Sequence, residues 1–203
     1  MFNIRPEVAD FFKPFFQSGI DGHYLFNYGK AAFESWTPDS HIIPSSDEVW
    51  LAGADYPDLI SDLYIGYSAA ELICFTSKRP YEFLKHPQQQ AFAALGLLPA
   101  GRQVQFLKAL FPYARWHLLF GSDLLGKIAD AGIAAWYKGY AVSFRMYDYR
   151  INIKFRDKAF NFDSSTFSLH RFERATGLRA GIRTHKPPHA LVSFTALQNQ
   201  LLP

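Results

Sequence analysis

The chain reads as an α/β protein: a mainly parallel sheet flanked by helices, with an N-terminal extension before it and a β-hairpin plus helix after it. Three observations predict this. Between residues 61 and 147 short apolar runs alternate with segments of helical period, the pattern of a sheet sandwiched between helices. From Tyr147 onward the period changes to strict alternation about a turn at Asp157. With 203 residues, 49% of them hydrophobic and 17% aromatic, the chain can bury a substantial core as one domain or a domain with an appendage.

Taken in order, residues 1–60 form an aromatic-rich extension packed on the core. Residues 6–16 predict a short helix, 24–36 two short strands around Tyr28-Gly29, and 38–46 a connector. Phe11, Phe12, Phe15 and Phe16 cluster on that helix, and aromatics so placed pack on their own domain. Residues 61–147 form the core. Strands are expected at 63–67, 91–95, 116–120 and 141–146, helices at 68–78, 103–111 and 124–137, and a loop at 80–90. Residues 148–203 form a basic appendage. In its hairpin, Ile151, Ile153 and Phe155 point one way while Arg150, Asn152, Lys154 and Arg156 point the other. Residues 168–176 then predict a helix capped by Ser168 and stopped by Gly177, with Leu169, Phe172 and Ala175 inward and Arg171 and Arg174 outward.

Charge is unevenly spread. Residues 1–139 carry eleven Lys/Arg against fourteen Asp/Glu, whereas residues 140–189 carry ten against four. Arg183 and Lys186 add cations to a loop preceding Pro187-Pro188. Cys74 is the single cysteine, which excludes an intramolecular disulfide framework, and its apolar setting predicts a buried, inert thiol. No run reaches ~18 apolar residues and the N-terminus lacks a basic-then-apolar leader, so no membrane partner is expected and a cytoplasmic protein is.

Residues 115–127, Arg-Trp-His-Leu-Leu-Phe-Gly-Ser-Asp-Leu-Leu-Gly-Lys, carry the most functional information, because an apolar strand stops in a Gly-flanked acidic turn that opens a helix. Gly121, Gly126 and Lys127 satisfy G-x-x-x-x-G-K, with Ile128 where a phosphate loop needs Ser or Thr. An unorthodox nucleotide-binding enzyme using Gly121–Lys127 is thus one alternative. Bulky Leu124 and Leu125 and the anionic Asp123 weigh against a phosphate cradle.

The same residues resemble the DxD turn of the Toprim domain, roughly h-h-F-D-x-D-x-x-G-K. Phe120, Asp123, Gly126 and Lys127 match, and Gly121 stands at the first Asp. Upstream, Ser68, Ala69, Ala70 and Glu71 resemble the family's Ser-Ala-x-Asp-Ala segment, with Tyr67 where its catalytic Glu belongs. The resemblance covers about residues 60–147 and implies a divalent-cation site built from clustered carboxylates. With Tyr67 and Gly121 substituted, it implies a degenerate site of Tyr67, Glu71, Gly121, Asp123 and Lys127. No catalytic residue and no cofactor are then expected, beyond weak magnesium at Asp123, a residue that equally suits capping the following helix. Tyr67 and Gly121 are expected at neighbouring C-terminal strand ends.

The expected function is therefore a catalytically degenerate, Toprim-like binding module in bacterial DNA mobilisation or replication. Its predicted nucleic-acid surface comprises Arg150, Lys154, Arg156, Arg171, Arg174, Arg183 and Lys186, suited to the phosphates of DNA or RNA. An acidic protein partner would use the same surface. The seven histidines form no metal-ligand spacing, since Pro187 and Pro188 break the i, i+4 relation of His185 and His189, and His117 is expected as a packed, hydrogen-bonded residue.

Overall fold

The computed structural model describes residues 4–19, 22–29, 31–188 and 191–199. Pro6 opens α1 (Pro6–Phe12), where its missing N–H costs nothing, and a 3₁₀ turn over Lys13–Phe15 extends it. Four short strands follow as an antiparallel meander in sequential order: β1 (Gln17–Ser18), β2 (Tyr24–Asn27), β3 (Phe33–Trp36) and β4 (His41–Ile42). The phenylalanines of α1 turn inward, with Phe12 fully buried and its ring edge on Phe92 at 4.9 Å.

The central sheet contains β5 (Trp50–Ala52), β6 (Asp62–Gly66), β7 (Gln90–Ala94), β8 (Arg115–Leu118) and β12 (Arg183–Thr184), in the order β12-β8-β6-β7-β5. All pairings are parallel except β5 with β7. The fold is thus mixed α/β. Helices α2 (Ala69–Lys78), α3 (Pro80–Leu84), α4 (Gly101–Leu110) and α5 (Leu124–Tyr137) connect these strands. Both faces are covered: Tyr64, Phe92 and Ala94 join one core with α1 and α2, while Leu63, Ile65, Ala93 and Trp116 join a second with α4 and α5.

A separate antiparallel sheet holds β9 (Val142–Tyr147), β10 (Arg150–Phe155) and β11 (Lys158–Asp163), with β10 central. Its apolar side packs Ile151, Ile153 and Phe155 on α5 and on α6 (Leu169–Thr176), forming a third core with Ala131, Ala134 and Ala135. Helix α5 is therefore apolar nearly all round because it serves two sheets, Ile133 on one side and Ala134 on the other. The chain ends its described part in α7 (Phe194–Asn199). Among the described residues no helix is long and apolar enough to cross a membrane.

The strand at 142–147 was expected in the central sheet but pairs with β10, so the division anticipated at 147/148 cuts through a sheet. The cause is packing: Phe144 lies opposite Ile153 and joins the core that α5 and α6 cover, while Met146, opposite Ile151, stays exposed. The hairpin is accordingly a three-stranded sheet. Residues 80–90 were expected as a loop but hold α3, opened by Pro80. Strand β4 falls inside the expected connector.

Candidate functional site

In a parallel sheet the C-terminal strand ends are where ligands are usually held. Tyr67 follows β6 and Gly121 lies just beyond the neighbouring β8, and the two ends are tied by the Leu119 N–H donating to the Ile65 carbonyl at 2.7 Å. The Tyr67 ring meets Phe120 edge-on at 4.5 Å. Burial first, then the nearby carboxylates of Asp123 and Asp130, push the Tyr67 phenol well above its usual pKa, so it keeps its proton at neutral pH.

What fills this edge is the chain's own side chains. At the N-terminus of α2, the fully buried Glu34 of β3 accepts from Tyr28 Oη at 2.7 Å, Ser68 Oγ at 2.6 Å and the N–H groups of Ala69 and Ala70 at 2.7 and 3.1 Å. His41 Nε2 lies 2.8 Å away on the same carboxylate. An internal anion thus takes the place at a helix N-terminus where ligand anions bind. Sequence reading passed over Glu34, although β3 alternates Phe33 and Ser35 on one side with Glu34 and Trp36 on the other, placing the acid on the side of a buried tryptophan.

The Gly121–Lys127 turn is closed in the same way. Asp123 Oδ1 accepts the Gly126 N–H at 2.8 Å and caps α5, the Asp123 carbonyl accepts the Lys127 N–H, and the Ser122 N–H donates to the Val192 carbonyl. Three of the loop's amides, those of Ser122, Gly126 and Lys127, are thus spent on acceptors within the chain. The two glycines have a packing reason: a Cβ on Gly126 would come within 2.1 Å of the Gly121 carbonyl oxygen. Asp123 is the exposed capping residue that the sequence allowed.

Beyond the end of β8, the Lys186 ammonium donates to the Phe120 and Gly121 carbonyls at 3.0 and 2.9 Å and lies 2.6 Å from Asp130 Oδ2. Asp130 projects from α5 with its side chain 2% exposed, and its Oδ1 has no hydrogen-bond partner among the described residues. Burial raises its pKa to about 7 against the opposing pull of Lys186. Three oxygens around the ammonium make Lys186 a tethered cation beyond the end of β8.

Glu71, the remaining member of the predicted site, is also engaged. Its carboxylate accepts the N–H of Phe194 at 2.6 Å, that of Thr195 at 3.1 Å and the Thr195 hydroxyl, and so receives the start of α7. With Ser122 Oγ donating to the Leu191 carbonyl, residues 191–195 lie as a strap across the 121–123 turn. Cys74, on the same helix as Glu71, is buried and free, and burial raises its pKa.

The predicted basic residues do not form one face. Arg150 and Lys154 lie on the side of the three-stranded sheet that no element among the described residues covers, and Arg145 of β9, absent from the prediction, joins them. Arg156 occupies the β10–β11 turn with its guanidinium 3.9 Å above the Tyr140 ring. Arg171 and Arg174 sit on α6, which packs Phe172 against Phe155 from the sheet's other side, so they point away from Arg150 and Lys154. Arg183 is exposed on β12 of the central sheet, and Lys186 has the internal partners above, with 30% of its side chain exposed.

One polar chain lies away from the expected site. Asp62 Oδ1 is 2.8 Å from His117 Nε2, and His117 Nδ1 is 3.0 Å from His185 Nε2. Burial drives the Asp62 pKa up, but hydrogen bonds from Arg115, His117 and Ser61 outweigh it and hold the carboxyl below its usual range. Burial lowers the His117 pKa more than Asp62 raises it. A neutral His117 donating to Asp62 accepts at Nδ1, which makes His185 the donor of the second bond. His189 lies outside the described residues.

Among the described residues no three His, Cys, Asp or Glu side chains are placed to share a metal ion. Comparison with protein-family models, with characterised proteins and with solved structures finds no match to this chain.

Proposed function

We propose that this chain is a non-catalytic nucleic-acid-binding module whose contact surface is the uncovered face of the three-stranded sheet. The observation that carries the reading is that Arg145, Arg150 and Lys154 stand exposed together on a side of the sheet against which none of the described elements packs. Such a face exchanges counterions for phosphate contacts at little cost in desolvation. The α/β core is read as a Toprim-like scaffold without its chemistry. This is supported by Tyr67 and Gly121 at adjacent strand ends, Asp123 spent on a helix cap, and Lys186 held on the Phe120 and Gly121 carbonyls. DNA mobilisation or replication in the bacterial cytoplasm is the setting that this reading carries with it.

Fluorescence anisotropy with labelled single- and double-stranded DNA at two salt concentrations tests the proposal. Three phosphate contacts predict a logarithmic salt slope of about −2 for a single strand, and Arg145→Ala with Lys154→Ala should reduce both affinity and slope. Absence of binding to either nucleic acid at low salt, or salt-insensitive binding, overturns it. Retention of an acidic polypeptide as tight as that of DNA would transfer the surface to an acidic protein.

A further inference from the structure

The uncovered sheet face is more specific than its charge. Cross-strand register places three rows on it: Ser143, Lys154 and Ala159, then Arg145, Asn152 and Asn161, then Tyr147, Arg150 and Asp163. All nine are exposed except the half-buried central Asn152. With strands ~4.8 Å apart and side chains repeating every ~6.7 Å, the face is about 10 Å wide and about 14 Å long. Its cations run in single file along β9 and β10, continued by Arg156 in the turn. Acid is confined to the margins: Asp163 at the β11 edge, where Ser165 N–H and hydroxyl engage it, and Asp148 and Asp157 in the two turns.

Resting on the nucleic-acid reading above, we infer that this face takes a single strand, lying along β9 and β10 with phosphates on Lys154, Arg145 and Arg150 and a base stacked on Tyr147. The Tyr147 ring is 63% exposed on the outer face at the end of the cation file, and among the described residues no ring stacks on it. An exposed ring gains from a base with a free π-face, which a single strand offers and the interior of a duplex does not. A duplex presents two phosphate rows flanking a groove about 12 Å wide, broader than this face and mismatched to one file of cations. At the Lys154 end a recess of about 400 Å³, lined by Tyr140, Ser143, Lys154, Arg156 and one acid, Asp157, gives the strand room to continue past the last row.

The test is anisotropy with labelled oligothymidylate, oligouridylate and a duplex, each about 10 nucleotides long. Single strands should bind at least about 10-fold tighter than the duplex, and Tyr147→Ala should weaken single-strand binding by about 10-fold while leaving duplex binding unchanged. Tyr147→Trp should preserve the preference, and Lys154→Ala should weaken all three probes. Circular dichroism of each variant verifies that the exposed substitutions leave the fold intact. Equal affinity for duplex and single strand, with Tyr147→Ala silent, overturns the single-strand inference while leaving the phosphate-binding surface in place. Failure of every probe to bind overturns the underlying reading instead. Oligothymidylate against oligouridylate decides between DNA and RNA as the source of the strand.

Discussion

Asp130 Oδ2 and Lys186 Nζ meet at 2.6 Å in a site where the lysine also satisfies two strand-end carbonyls and the aspartate keeps one oxygen unpaired. The pair is a buried charge with a half-exposed partner, and its value depends on pH. In Lys186→Met at pH 8 the carboxylate is left without compensation, and a loss of about 3 kcal/mol is expected. At pH 6 the carboxyl can take up a proton, and the loss should fall to about 1 kcal/mol. Urea unfolding at the two pH values measures this; equal losses would show that charge is not what the lysine balances.

Two buried groups titrate in opposite senses over the same range. The Asp130 pKa is raised from 3.8 to about 7 on folding, so the native state holds the extra proton and stability falls as pH rises from 4 to 7. The His117 pKa is lowered from 6.5, so the unfolded state holds the extra proton and stability falls as pH drops below 6.5. Asp130→Asn should therefore steepen acid destabilisation, by on the order of 3 kcal/mol, and His117→Gln should relieve it. Melting temperatures from pH 4 to 8 would expose both slopes, and variants that shift in the same direction would refute the assignment.

Glu34 is predicted to be the most sensitive acid in the chain. Glu34→Gln puts an NH₂ group among four hydrogen-bond donors and should cost about 3 kcal/mol, and Glu34→Ala more, since it strands the donors of Tyr28, Ser68, Ala69 and Ala70. Denaturant titration of the two variants gives the comparison. Burial, then Glu34 itself, holds Tyr28 protonated, which keeps its hydroxyl a donor.

Gly126→Ala offers a test of the closed turn. In an ordinary helix this substitution gains about 1 kcal/mol. Here the new methyl would meet the Gly121 backbone, and a loss of about 3 kcal/mol is expected instead. Thermal unfolding decides the sign.

The parts of this molecule governed by local chemistry were legible in the chain. Asp123 and Ser168 announce the starts of α5 and α6 through caps that the structure contains, and Gly177 ends α6 with φ of 73°. The alternation in β10 correctly separates Ile151, Ile153 and Phe155 from Arg150 and Lys154. Partners distant in sequence were not legible. Lys186 reads as one cation in a basic loop until Asp130 and two carbonyls converge on it, and Arg183-Thr184 becomes a strand only because β8 offers an edge. Glu34 lies 34 residues from Ser68, so no local pattern joins them. Arg156 and Asp157 adopt φ of 48° and 59° without a glycine, a turn recognisable from its position between two alternating runs rather than from its residues.

The hold that Glu71 keeps on Phe194 spans 123 residues of chain, and this has a consequence for synthesis. Because the ribosome adds about 5–20 residues per second, α2 emerges many seconds before the residues that satisfy its carboxylate. During that interval the nascent chain carries Glu71 and the 121–123 turn open to whatever else is near. Closure of this contact waits until residue 195 has cleared the exit tunnel, so the Glu71 carboxylate is satisfied only after the strands and helices around it have been made.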